Sequence, residues 1–198
     1  MSTVSADYVN NLSGQTIIPF RGNILQCNYV RNDSITTFSY SYREWYGNDS
    51  QNIMPALVLE NVESPHHWIM CQWQISGEAP AEGDLGWFIL RNGAHINPMQ
   101  GATGPNQLGG GNTGGYWSWN IGGFYDGNAD STLGTRVFTY FGPAQLTGRL
   151  EYTLQTTETG GSDRTFYLNR TVASAGQNNY ENAVTCGVIY EISNDGSY

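Results

Sequence analysis

The residues with the chemistry to hold a ligand or turn over a substrate are few in this chain, and their spacing decides what each could do. Gly109-x-Gly111-x-x-Gly114 has the spacing of a dinucleotide fingerprint. That fingerprint needs a strand before it and a helix after it, whose N-terminus meets the pyrophosphate. Here the strand-like run Tyr116-Trp117-Ser118-Trp119 follows instead, so nucleotide binding is not expected. Asp126-x-Asn128-x-Asp130 begins like a calcium loop, but Ser131 stands where that loop needs glycine and Val137 where it needs a bidentate glutamate. An EF-hand is excluded.

His66 and His67 are neighbours, and neighbours on a strand point to opposite faces, so they do not form a two-histidine metal grip. His95 is remote in sequence. A satisfied surface or interface role is the expectation for these rings. Neither a G-x-S-x-G elbow nor an H-E-x-x-H helix occurs. Glu78 with Glu82 or Asp84 could be brought to glycosidase spacing, as the carboxylates of any acidic loop could. The reading is therefore of a protein that is not an enzyme, with no catalytic residue, no cofactor and no metal.

Cys27, Cys71 and Cys186 are an odd, widely spaced set without C-x-x-C spacing. Each lies in an apolar, strand-like run, which predicts a buried small hydrophobe rather than redox chemistry. The Asn-x-Ser/Thr triplets at Asn11, Asn32, Asn48 and Asn169 are what an Asn- and Thr-rich chain produces by chance. Trp117 and Trp119 share one face of a short strand and Tyr116 points the other way. These three form a candidate platform for a glycan or a partner surface, because aromatic rings supply contact area at low entropy cost. The alternative, inter-sheet core or subunit interface, ranks ahead of it.

The elements that must position these groups are strands. Ile69, Cys71, Trp73 and Ile75 alternate with Gln72, Gln74 and Ser76, which is the period of a half-buried strand. Phe38, Tyr40 and Tyr42 read the same way, and so do Leu150, Tyr152 and Leu154. Further strands are expected at Ile24 to Arg31, Ala56 to Asn61, Leu85 to Arg91, Tyr116 to Asn120, Thr135 to Phe141, Arg164 to Arg170 and Cys186 to Ile192. Glycine-rich breakers separate them, and Asn92-Gly93 after Phe88-Ile89-Leu90 predicts a type I′ hairpin turn. No stretch sustains a helical apolar stripe. About ten short antiparallel strands make the expected fold all-β, a jelly-roll sandwich. Residues 1–20, polar and without alternation, are expected to form an N-terminal arm, and residues 21–198 the sandwich.

Composition narrows the class further. The chain has 198 residues, a net charge of -9 and only 13% charged residues, against roughly a quarter in an ordinary soluble protein. Its eight basic residues are all arginine, scattered singly, so a phosphate-neutralising patch is absent and nucleic-acid binding is not expected. Apolar runs are far shorter than the roughly 20 residues a bilayer needs. The opening MSTVSADYVNNLSGQTII has neither a basic nor an apolar region of a signal peptide, and folding in a reducing cytoplasm is the expectation.

Several runs, taken in order, carry a family resemblance: Gly22-Asn23-Ile24-Leu25-Gln26, Trp87-Phe88-Ile89-Leu90-Arg91-Asn92-Gly93 with Ile96 soon after, Leu150 to Gln155, Phe166-Tyr167-Leu168-Asn169-Arg170, and Ile189-Tyr190-Glu191-Ile192. With them the chain resembles a domain of tailed-bacteriophage virion proteins, known from phages of cyanobacteria as a tail-fibre end or a small structural protein. The resemblance departs at His66-His67-Trp68, where a Ser/Lys-containing run is more usual. It implies a jelly roll of the tumour-necrosis-factor-like kind, commonly a homotrimer around an apolar, aromatic axis. It further implies a virion location after assembly in the host cytoplasm, with the major capsid protein as partner and the arm residues Asp7, Tyr8, Val9 and Leu12 as docking candidates. A receptor-binding tip that recognises host surface glycans through Tyr116, Trp117 and Trp119 is the alternative. No nucleic acid and no membrane is expected as partner.

Overall fold

The computed structural model describes residues 9–10, 16–18, 22–40, 51–79, 85–96, 120–121, 132–158, 163–173 and 181–194. Among these every regular element is a strand. The short β1 (Val9–Asn10) and β2 (Thr16–Ile18) pair with each other. They are followed by β3 (Ile24–Asn32), β4 (Thr36–Tyr40), β5 (Gln51–Asn52), β6 (Leu57–Val62) and β7 (Trp68–Glu78). Next come β8 (Leu85–Arg91), β9 (Ala94–His95), β10 (Asn120–Ile121) and β11 (Gly134–Pro143). β12 (Gly148–Glu158), β13 (Arg164–Leu168) and β14 (Thr185–Ile192) complete the series. No helix among the described residues is long and apolar enough to cross a membrane.

Two antiparallel sheets form a sandwich. In one, β3, β14, β7 and β11 lie side by side; in the other, β6, β12, β8 and β10 do. The chain thus alternates between sheets and returns to lay late strands beside early ones, which is the connection of a jelly roll. β13 and β4 extend the first sheet beyond the end of β7, while β5 and β9 extend the second.

The alternation seen in the sequence sets which side of each strand faces the interior. Ile69, Cys71, Trp73 and Ile75 of β7 are fully buried, as are Leu150, Tyr152 and Leu154 of β12. Between the sheets, Trp87 of β8 lies 4.6 Å from Phe138 of β11 and meets Phe166 edge-on at 5.8 Å. Such tilted and T-shaped pairs suit the ring quadrupoles and fix how the sheets stack. Gly187 makes room for this core, because a Cβ there would press on Trp73 and Leu57. β8 is buried on both faces from Leu85 to Leu90, in keeping with its unbroken apolar run.

The Asn92-Gly93 hairpin forms as expected, with φ of 49° and 78° at the two central residues and β9 paired back onto β8. Asn92 is also held from the side: its backbone N–H donates to Glu151 O, and its Oδ1 accepts from Glu151 N, both at 2.8 Å. β7 begins only at Trp68 because Pro65 to His67 turn, with Gln145 N donating to Pro65 O and Ala144 N to His67 O at 2.8 Å each. β13 ends at Leu168 rather than Arg170 because Asn169 adopts φ 60°, which a strand cannot continue through.

The expectation of three buried cysteines is corrected at two positions. Cys71 points into the core, whereas Cys27 and Cys186 are exposed on the outer side of the first sheet. Their apolar neighbours do not put them inside, since on β3 and β14 the apolar side of the strand is the outer one.

Candidate partner-binding surface

Of the residues the sequence singles out as contacts, Tyr116, Trp117 and Trp119 lie outside the described residues, and so do Asp7, Tyr8 and Leu12. Val9 is in β1, paired with Ile18. The feature that the described residues do build lies on the outer face of the β3-β14-β7-β11 sheet.

Strand register places the outward residues in rows across that sheet. Cys27, Tyr190, Met70 and Phe141 make one row; Tyr29, Val188, Gln72 and Thr139 make the next; Arg31, Cys186, Gln74 and Val137 a third. At the other end Ile24, Ile192 and Trp68 lie opposite one another, and the Trp68 ring stacks on Phe141 at 4.8 Å. Tyr29 is 75% exposed, Val137 56% and Phe141 55%, so these are open apolar side chains and not rims of the core. A shallow groove of about 330 Å³ crosses the face between Tyr29, Gln72, Gln74, Cys186 and Val188.

The polarity of two strands is reversed relative to what hydropathy alone dictates. In β14, Val188, Tyr190 and Ile192 look outward while Glu191 looks in; in β3, Cys27 and Tyr29 look outward while Gln26 and Asn28 take the inner side. An inward carboxylate is tolerable only if its oxygens are satisfied. Here they are: Glu191 Oε1 lies 2.5 Å from His67 Nδ1, and Glu191 Oε2 accepts from Gln26 Nε2 at 2.5 Å. Asn28 Nδ2 likewise donates to Val58 O of β6 at 3.1 Å. The paired histidines thus divide, His66 exposed and His67 buried inside the chain against a carboxylate.

A second polar knot pins the far end of the same sheet. Asn169 is fully buried, donates from Nδ2 to Asn32 O at 2.8 Å and Ser34 O at 3.0 Å, and accepts from Thr185 Oγ1 at 2.8 Å. Burial makes it no acceptor for a glycan in the folded protein. Glu78, weighed above as half of a carboxylate pair, is buried and accepts from Val172 N at 2.6 Å. It caps a loop there.

Four of the described arginines are also committed. Arg91 donates to Ala144 O at 2.8 Å and to Gln145 Oε1 at 2.6 Å, and Arg170 lies 4.3 Å above the Tyr167 ring while reaching Thr37 Oγ1. Arg149 joins Glu60 and Glu151, and Arg31 pairs with Asp33 at 3.6 Å. Among the described residues no group of three or more His, Cys, Asp or Glu side chains is placed to hold a metal ion.

Protein-family models give no match to this chain, and neither do the curated proteins. Solved structures give matches at low identity and low TM-score. One is a structure of the infectious bursal disease virus Gx strain, at 13% identity and a TM-score of 0.37, covering 95% of this chain and 42% of that one. Another is the structure of T=1 particles derived from infectious bursal virus, at 11% identity and a TM-score of 0.35, covering 86% of this chain and 37% of that one. The chain therefore spans less than half the length of these two chains.

Missed in the sequence was the outer face itself. Its signal was present in Cys27 to Tyr29 and in Val188 to Ile192, where apolar residues occupy both parities of one strand or alternate with residues that fit the inside only with a partner.

Proposed function

We propose that this chain is a bacteriophage virion structural protein, most simply a trimeric capsid decoration or cement protein on the particle exterior. The observation that carries this reading is the open, charge-poor apolar face of the β3-β14-β7-β11 sheet on an otherwise acidic jelly roll. A monomer that works alone gains nothing from leaving such a face to water, whereas an assembling subunit needs one. The order of the sequence runs that resemble tailed-phage virion domains supports the same reading. A lysine-free, acidic exterior suits a particle surface that must not adhere to nucleic acid or to other particles.

The test is electron microscopy of virions made without this gene, together with osmotic shock of the same particles. The expected result is loss of a discrete surface density and heads that rupture more readily. Heads with unchanged density and unchanged resistance would overturn the reading.

A further inference from the structure

We infer that the outward face of the β3-β14-β7-β11 sheet is where copies of this chain bind one another. This rests on the reading of the chain as an assembling subunit, and it names the surface and the occupant.

The reversal of β3 and β14 is the first ground. Turning Tyr190 and Ile192 outward obliges Glu191 inward, where His67 and Gln26 must be supplied for its oxygens. The opposite orientation would put the carboxylate in water and bring Val188, Tyr190 and Ile192 into the core, turning out Ile189 and Val30 as the apolar residues now on the inner side. A fold that holds the less obvious orientation presents its apolar side to something other than water.

Size is the second ground. Four strands at about 4.8 Å and about eight residues at roughly 3.3 Å give a rectangle on the order of 500 Å² in projection. With side-chain relief added, this face, in which Gln72, Gln74, Thr139 and Arg31 lie among the apolar residues, approaches the roughly 800 Å² each partner contributes to a standard interface.

Charge selects the occupant. The chain carries -9, so two copies repel each other over most of their surfaces. The rows of this face contain one charged side chain, Arg31, and it is paired with Asp33. Copies can meet there without opposing like charges. A basic partner would find no carboxylate in those rows to select it. The groove beside Tyr29 gives an incoming side chain a place to seat.

The experiment is sedimentation velocity on the full chain, wild type beside Tyr29→Arg/Phe141→Arg, with Leu146→Arg as a control at an exposed apolar position off this face. The wild type and the control should sediment as one defined oligomer, and the double variant should dissociate with affinity lower by roughly 30-fold or more. Thiol labelling gives a second readout that needs no mutation. Cys27 and Cys186 should react slowly in the concentrated wild type and quickly on dilution. A wild type that stays monomeric would overturn the inference. So would an oligomer that the double variant leaves intact with Cys27 freely labelled. Mass spectrometry of purified virions keeps this failure distinct from that of the virion reading: a monomer found in virions defeats only the interface, and an oligomer absent from virions defeats only the location.

Discussion

Glu191 of β14 turns into the sandwich and meets His67, 124 positions earlier in the chain, at 2.5 Å. The contact satisfies the carboxylate that β14 turns inward beside the buried Ile189. Replacing His67 by leucine leaves one buried carboxylate oxygen without its partner, at a cost of about 1–3 kcal/mol, more where the pair is ionised. Urea denaturation of His67→Leu, Glu191→Leu and the double variant should therefore show the double variant more stable than the sum of the single losses. Strict additivity would mean the two side chains do not act together.

Asn169 combines a positive φ with three side-chain hydrogen bonds. Asn169→Gly keeps the backbone conformation and loses the bonds; Asn169→Ala loses the bonds and adds backbone strain of about 1 kcal/mol or more. Thermal unfolding should rank wild type above Asn169→Gly, and Asn169→Gly above Asn169→Ala. Equal midpoints for the two variants would show that φ at this position is not strained.

Gly77 sits under the Phe166 ring and the Tyr167 carbonyl, and a Cβ there would run into both. The carbonyl belongs to the strand ladder and has little room to move. Gly77→Ala should lower stability by at least about 2 kcal/mol or prevent folding, by overpacking. Soluble expression with an unchanged melting temperature would contradict this.

Alkaline pH should unfold the protein early. Burial raises the Tyr40, Tyr140 and Tyr152 hydroxyls above their ordinary 10.0, and burial raises the Cys71 thiol well above 9.0. In each case the unfolded chain releases its proton first. The folded state then binds more protons than the unfolded one, so stability, full below about pH 9, falls as pH climbs through 9 and 10. Melting temperature followed with tyrosinate absorbance should show ionisation of these rings coinciding with unfolding. Ionisation of every tyrosine in the native state would refute it.

The parts of this fold that are legible in the sequence are those where one strand carries its own instruction. Ile69 to Ile75 alternate cleanly, and the Asn92-Gly93 turn contains both residues its φ values need, so local chemistry suffices. β14 is different. Val188-Ile189-Tyr190-Glu191-Ile192 does not by itself reveal which parity is inside, because the answer depends on His67 and Gln26, which meet Glu191 only after folding. Cys27 and Cys186 are misread for the same reason: an apolar neighbourhood along the chain predicts burial only if the strand's apolar side faces in. The candidate surface escapes sequence reading because it is assembled from rows across four strands, each contributing at most one apolar residue at a given level.

The side-by-side placement of β3 and β14 bears on how the protein is made. Gln26 and Glu191 are joined across 165 positions of sequence, and at the same seam Gly22 N donates to Ser193 O and Ser193 N to Asn23 O. A ribosome releases β3 long before it releases the strand that β3 pairs with. During that interval β3 has its apolar side and an unpaired edge both open, so the first sheet closes last and only after most of the chain has emerged. Closure of this seam is therefore a late event, and the stretch of synthesis before it is when the chain most depends on being kept from its neighbours.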